Sequence, residues 1–369
     1  MFPNRFDAAI VGGGPGGSAC ALALRKHERR VLIIERSRYD NWRFGETLPA
    51  RARTVLIDLG VGDDFLRAEH MPSYAIRSTW GGPGHYEANS ILNSYGVGWH
   101  VDRKKFDLTL ANAAREAGAT LLTGARVRRI AREGPGWRLK IESDESPHEI
   151  EASFLVDGTG ADSRVARLLG AKRSSHDHLS GVAGQLWPES PNAAVESLLT
   201  VEAVENGWWY CAPLPDGTLL ATFMTDVDRL AKGRNRPRDV WSAELNRTAL
   251  TRERCSAFRW NGVVKVRNAN SSRLDTPAGE GWLAVGDAAS SYDPLSGAGI
   301  AKALHTGLRG AQAIAGSLDG DPTALDSYAA AVFRSYTRYL NQRMEYYCQE
   351  HRWPTSLFWR RRNPDAPAV

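Results

Sequence analysis

Cysteine is scarce in this 369-residue chain: Cys20, Cys211, Cys255 and Cys348 are scattered, and no two form a C-x-x-C pair. Thiolate metal sites need such spacing, so no metal is expected. Long hydrophobic runs are missing as well, since nothing approaches the roughly 18 apolar residues of a membrane-spanning helix. With a strand expected from Asp7, no N-terminal signal is expected. A cytoplasmic location is expected, and a disulfide framework is not expected in that reducing compartment. Charge of one sign is in short supply too: 47 Lys and Arg stand against 42 Asp and Glu, a net +5 with no long basic stripe. That excludes a nucleic-acid footprint and suits an anionic cofactor or an acidic partner patch. Lysine is rare, eight of the 47 basic residues, with none between Lys26 and Lys104. Neither an internal repeat nor a low-complexity segment is present.

What is present is organised around residues 7–35, DAAIVGGGPGGSACALALRKHERRVLIIE. An apolar run through Val11 reads as a buried strand and stops at Gly12, Gly13, Gly14, Pro15, Gly16 and Gly17. Gly12, Gly14 and Gly17 make a G-x-G-x-x-G motif, a helix-forming run from Ser18 to Lys26 follows, and a second apolar strand ends in Glu35 and Arg36. Strand, glycine turn, helix and terminal acid together are far more specific than the glycines alone. Gly12 permits the tight turn, Gly14 lets a pyrophosphate approach the backbone, and Gly17 lets helix and strand pack closely. The helix's first N–H groups face the phosphates. Glu35 suits two ribose hydroxyls and repels a 2′-phosphate, so FAD or NAD is favoured over NADP.

The remainder alternates between nucleotide-type and sheet-type patterns. Short strands rich in Tyr, Ile and Trp occur at 73–80 and 86–90, and again between 181 and 227. Apolar strands that end in Asp157-Gly158 and in Gly286-Asp287 return to the buried-strand pattern, and two long helices close the chain. The expectation is an α/β chain with a discontinuous Rossmann-like nucleotide domain at 1–72, 97–180 and 263–320. A mostly antiparallel substrate sheet at 73–96 and 181–262 is inserted into it, and a helix with a basic aromatic tail occupies 321–369.

The glycine loop, the Asp157-Gly158 segment that runs to Arg164, and Gly286-Asp287, in this order, resemble the flavoprotein hydroxylase superfamily of the p-hydroxybenzoate hydroxylase fold. The resemblance covers nearly the whole chain and implies FAD. It places Asp287 on a ribityl hydroxyl and Arg103, in an R-x-x-F-D pattern with Phe106-Asp107, on the phosphates or ribityl chain. Pro294, Gly297, Ala298, Gly299 and Ile300 would open a helix whose N-terminus lies near the flavin ring, where a positive dipole end stabilises the reduced anion. Gly45-Glu46 resembles the G-E segment of the branch that contains tryptophan halogenases and geranylgeranyl reductases, which puts Glu46 beside the isoalloxazine.

Within that branch, Trp208-Trp209-Tyr210-Cys211-Ala212-Pro213 is similar to the halogenase W-x-W-x-I-P, with Tyr210 and Ala212 as departures. Halogenases also need a Lys about 30 residues after G-E. Here the nearest basic residue in such a setting is Arg77, which cannot lose its proton in the same way. The tail from Glu350 to Arg362 resembles flavoproteins that hydroxylate a tryptophan side chain while a tryptophylquinone is built inside a partner enzyme. The resemblance therefore implies a monooxygenase that acts through a flavin C4a-hydroperoxide on an indole- or tryptophan-like substrate, small or protein-bound. A halogenase and a C=C reductase are the alternatives. His85, His100, Trp209 and Tyr210 are the candidate catalytic residues, with Trp80, Trp99 and Trp208 as further pocket candidates. No second glycine-rich nucleotide motif occurs, so NAD(P)H visits transiently or a partner flavin reductase supplies electrons.

Overall fold

The strand Arg5–Val11 is apolar on both faces because it lies between two parallel neighbours, Val31–Ile34 and His148–Asp157. A computed structural model describes residues 3–40, 42–90, 93–144, 146–190, 195–231 and 236–363. Thr120–Leu122 extends this parallel sheet beyond Val31–Ile34, and Trp282–Ala284 extends it beyond His148–Asp157. Three distant pieces of sequence thus end side by side: Val11 lies opposite Asp157, and Asp157 opposite Ala284. An antiparallel hairpin, Ala125–Glu133 with Gly136–Ser143, hangs on the outside of His148–Asp157.

The helix Pro15–Lys26 starts at a proline and ends in Arg25 and Lys26, both suited to its dipole. It packs on the helix Gly299–Leu318 so closely that a Cβ at Gly307 would lie 2.4 Å from the Gly16 carbonyl oxygen. Two glycines of the turn serve the fold itself. Gly12 has φ +107°, and a Cβ there would meet the Gly158 oxygen at 2.3 Å. A Cβ at Gly17 would meet the Gly12 oxygen at 1.9 Å.

The second sheet has seven strands, ordered Phe258–Asn268, Leu179–Pro188, Leu219–Asp226, Gly207–Pro213, Leu198–Val204, Ala75–Thr79, Tyr86–Asn89. Every pairing is antiparallel except that of Leu198–Val204 with Ala75–Thr79. Val263 to Arg267 belongs to this sheet, paired with Leu179–Pro188, so the sheet reaches past the expected boundary at 262. Side chains alternate across it. Trp209, Cys211 and Phe223 face a core covered by the helices Pro237–Leu245 and Leu250–Cys255, with Trp241 against Trp209. Trp208, Tyr210, Thr222 and Met224 face the nucleotide domain.

The helix Ala324–Cys348 and the tail behind it lock the second sheet in place. Phe358 and Trp359 are buried beside Trp208 and Tyr347. The Trp359 indole donates to the Val204 carbonyl at 2.9 Å, and the Ser356 hydroxyl to the Glu205 carbonyl at 2.6 Å. Arg362 pairs with buried Asp226 at 2.5 Å and lies 3.7 Å over the Phe358 ring. The basic aromatic tail is therefore core on its aromatic side.

Candidate active site

One cavity of about 1340 Å³ lies between the glycine turn and the inner face of the second sheet. At one end are Gly12, Gly14, Pro15, Gly16, Glu35, Arg36, Gly158 and Arg164; in the middle Glu46, Arg103, Gly286, Asp287, Pro294, Gly297, Gly299 and Ile300; at the other end Trp80, Trp208, Tyr210 and Thr222.

The first end is a bare backbone cradle. Ser18 N–H to the Gly14 carbonyl, 2.9 Å, is an early intrahelical bond, so the N–H groups of Gly16 and Gly17 ahead of it are left for another acceptor. At Gly14 a Cβ would find only Arg43 Nη1, at 3.9 Å, within reach. Gly297 and Gly299 have nothing within 4 Å of a Cβ position, and the helix Gly299–Leu318 begins there, its first N–H groups directed into the same space. Two helix N-termini and uncovered glycines fit a pyrophosphate at one site and an electron-rich ring edge at the other.

Charged side chains fix the walls. Glu35 accepts from Gly13 N–H at 2.8 Å, from Ser37 N–H at 3.0 Å and from Arg43 at 3.0 Å, so its carboxylate braces the glycine turn. Arg103 pairs twice with buried Asp107, at 3.1 Å each, and donates to the Phe44 and Gly45 carbonyls, which holds the Gly45-Glu46 segment. Arg43 joins the same Asp107 at 2.9 Å. Lys302 is buried, donates to Asp287 at 2.6 Å and to the Ser290 carbonyl, and lies 4.8 Å from the Tyr292 ring centre. Burial pulls its pKa down, and Asp287 opposes the pull.

Asp293 caps the turn that leads to Gly297 by accepting Leu295 N–H at 2.9 Å. It also accepts from the Tyr347 hydroxyl at 2.7 Å and from Arg343 at 3.2 Å, and its own N–H donates to the Tyr339 hydroxyl at 2.7 Å. The Trp208 indole donates to the same Tyr347 hydroxyl at 3.0 Å. The aromatic face and the turn beneath the ring site thus share one hydrogen-bonded residue.

Among the sequence candidates, Tyr210, Trp80 and Trp208 line the cavity, whereas His85, His100, Trp209 and Trp99 do not. His85 is exposed and engaged with the Thr79 hydroxyl at 2.8 Å. His100 is wholly buried, and burial, then Arg254, pulls its pKa down to about 4, which holds it neutral. Trp209 points to the opposite face by strand parity, and Trp99 packs edge-on against Phe65. Gly17, Asp157 and Ala298 also lie off the cavity wall. Asp157 instead binds Thr159 N–H at 2.9 Å and Ala166 N–H at 2.8 Å, which shapes the turn that carries Gly158. Arg43, Lys302 and the clamp on Asp293 carried no sequence signal, because no motif marks their pairings; the Arg43–Asp107 pair and the Asp293 clamp join residues 46–64 apart in the chain.

Glu46 stands apart. Its carboxyl is buried, with Oε1 lacking a hydrogen-bond partner, and burial raises its pKa to about 7, against lowering by Arg103 and Tyr210 among others. Between about pH 4.5 and 7 the folded chain therefore holds a proton that the unfolded chain has released, so Glu46 costs stability as pH rises through that window. FAD-free Glu46→Gln is expected to exceed the wild type by about 3 kcal/mol near pH 8 and by less than about 1 kcal/mol near pH 5. Urea unfolding of both proteins at the two pH values measures it, and an equal gap at both would contradict the burial effect.

Comparison with known proteins places these features. A family described as FAD binding domain matches residues 5–340. Over 363 residues the chain is 30% identical to LodB of Marinomonas mediterranea, a protein named as an FAD-dependent oxidoreductase, with 97% of each chain covered. The solved structure of QhpG, a peptidyl tryptophan dihydroxylase essential for tryptophylquinone cofactor biogenesis, superposes with a TM-score of 0.78 at 26% identity, covering 99% of this chain and 80% of that one. The myxobacterial chondrochloren halogenase CndH superposes at 0.88 with 22% identity, covering 98% and 86%. That last likeness is one of fold.

Proposed function

The chain belongs to the FAD binding domain family, and from that premise we propose that it is an FAD-dependent monooxygenase that hydroxylates an aromatic substrate, an indole or tryptophan side chain, including one carried on a protein. The observation that carries this reading is the continuity of the cavity from the bare glycine cradle to the aromatic sheet face. Its likeness to a peptidyl tryptophan dihydroxylase supports the substrate class.

Gly14, Gly16, Gly158 and the start of the helix Pro15–Lys26 would hold the pyrophosphate, Glu35 and Arg36 the adenosine end, and Asp287 the ribityl chain. Pro294, Gly297, Gly299 and Ile300 would meet the ring. FAD, once bound and reduced by NAD(P)H or a partner flavin reductase, supplies the activation of O₂. The chain's own contribution is placement. Trp80, Trp208 and Tyr210 offer flat faces for an aromatic ring, and the Trp208–Tyr347–Asp293 chain ties that face to the Pro294–Ser296 turn, whose neighbouring Gly297 and Gly299 would meet the flavin. The interlocked tail closes the back of this face against water.

Hydroxylation is preferred to halogenation because no Lys occurs between Lys26 and Lys104, and Arg77 is engaged by Glu87 and Glu196 away from the cavity wall. Turnover of a tryptophan-containing peptide under isotopically heavy O₂, with FAD, NADH and a flavin reductase, is expected to add labelled oxygen to the indole. Halide-dependent mass gain would transfer the assignment to a halogenase, and product formed without O₂ to a reductase.

A further inference from the structure

Four carboxylates line the cavity among the described residues: Glu35, Glu46, Asp287 and Asp293. Three are engaged, Glu35 by the glycine turn and Arg43, Asp287 by Lys302, and Asp293 by Leu295, Tyr347 and Arg343. Glu46 alone of the four keeps a buried oxygen without a hydrogen-bond partner. It lies where the flavin half of the cavity meets the sheet half, held there by Arg103 through the Gly45 carbonyl and by Val101 N–H to its own carbonyl at 2.7 Å. The Tyr210 phenol stands beside it, close enough to hydrogen-bond the carboxyl, which leaves Oε1 as the oxygen without a partner.

Tyr210 is register-paired with Thr222 on the neighbouring strand, and the buried Thr222 hydroxyl stands within reach of the Tyr210 phenol. Gly181 keeps the space beside Thr222 clear, since a Cβ there would come within 2.9 Å of the Met224 sulfur and 3.3 Å of the Thr222 methyl. The strands next to Tyr210 and Thr222 add apolar and aromatic side chains to this face, Leu199, Val201, Trp208 and Met224, with Ser78, Arg267 and Asn268 on other strands of the sheet. A buried carboxyl oxygen without a hydrogen-bond partner at the end of a largely apolar slot is costly unless a ligand completes it.

Resting on the monooxygenase reading, we propose that Glu46, with Tyr210 and Thr222, forms the specificity end of the substrate pocket and reads a ring N–H or O–H donor, so that the substrate is a heteroaromatic or phenolic ring with its donor free. A site built to bind a donor rejects the analogue that lacks it, because the buried acceptor is then stranded. The ionised carboxylate is the stronger acceptor. The charged and titratable groups that face it are Arg103 from the helix Arg103–Glu116 and Tyr210 from the strand Gly207–Pro213, and of these only Glu46 changes charge near neutrality. Donor binding should therefore strengthen as pH rises through about 7.

The experiment titrates the FAD-loaded protein with indole and with 1-methylindole, read by perturbation of the flavin absorption band, in wild type, Glu46→Gln, Glu46→Leu and Thr222→Val. The wild type is expected to prefer indole by roughly 10- to 100-fold. Glu46→Leu is expected to erase that preference, Thr222→Val to reduce it, and Glu46→Gln to retain part of it with no pH dependence around neutrality. Equal binding of both ligands by the wild type overturns the proposal and leaves the monooxygenase reading standing. A Glu46 variant that loses FAD affinity while keeping the preference also overturns it, since the carboxyl then serves the flavin. If neither ring perturbs the flavin, the aromatic-substrate reading falls and takes the proposal with it.

Discussion

Gly14→Val is expected to fold as the wild type does and to be recovered colourless. Gly14 has φ −72° and ψ −176°, an extended conformation open to any residue, and a Cβ there approaches only Arg43 Nη1 at 3.9 Å. Nothing in the protein resists the valine. Its branches would occupy the space over the first N–H groups of the helix Pro15–Lys26, where the pyrophosphate must come to bond them. Charge-assisted hydrogen bonds of this kind are worth about 1.5–3 kcal/mol each, so the loss of two or three lowers FAD affinity by about a thousandfold or more, roughly 4 kcal/mol. Thermal unfolding of the FAD-free protein should stay within a few degrees of wild type, while titration with FAD shows little binding. Gly12→Ala and Gly17→Ala serve as contrasts, since a Cβ at either meets backbone oxygen, at 2.3 Å and 1.9 Å, and damages the fold itself. A Gly14→Val protein that binds FAD as tightly as wild type would remove the cradle from the account.

The convergence of three strand ends on the glycine turn was legible in sequence because its logic is local. A turn of glycines between a buried strand and a helix has few physical uses, and two more strands that end in Asp157-Gly158 and Gly286-Asp287 converge on it through the parallel sheet. The substrate half depends on register. Trp208, Trp209 and Tyr210 look equivalent as a string, yet alternation sends Trp209 to the far core and leaves its neighbours on the cavity. His100 illustrates the same limit: it sits two residues before the helix N-cap Asp102, and only the pairing of its strand with Thr47–Leu48 and Met71–Ser73 shows it sealed from the cavity. The motif expects Arg103 to reach the FAD; register and pairing add what it does not show, that its guanidinium also binds Asp107 and the Phe44 and Gly45 carbonyls while the residue lines the cavity. The chemistry of a residue can be read from its type. Its direction comes from the pairing partner.

The tail offers the second test, because its basic residues look like surface and its aromatic ones are core. Arg362→Ala is expected to cost about 3–5 kcal/mol of stability. Asp226 is 1% exposed, and burial alone would raise its pKa; Arg362 and Arg361 outweigh that and hold it ionised. Without Arg362 the carboxylate keeps only Arg361, at 2.7 Å, a partly exposed side chain shared with Asp228. Phe358 also loses the guanidinium stacked 3.7 Å above its ring. Arg361→Ala should cost less than about 1 kcal/mol, since the buried pair survives it. The double variant Asp226→Asn with Arg362→Met should recover most of the loss by removing the stranded charge. Because the Asp226 pKa is depressed in the fold, the difference between wild type and Arg362→Ala is full at neutral pH and shrinks only in acid, as the carboxylate takes up its proton. Urea unfolding of the four proteins at neutral and acidic pH measures this, with the Trp359 and Trp208 environment followed by fluorescence. A loss no larger than that of Arg361→Ala would mean that the tail merely lies on the surface, and the closed back wall of the aromatic pocket would go with it.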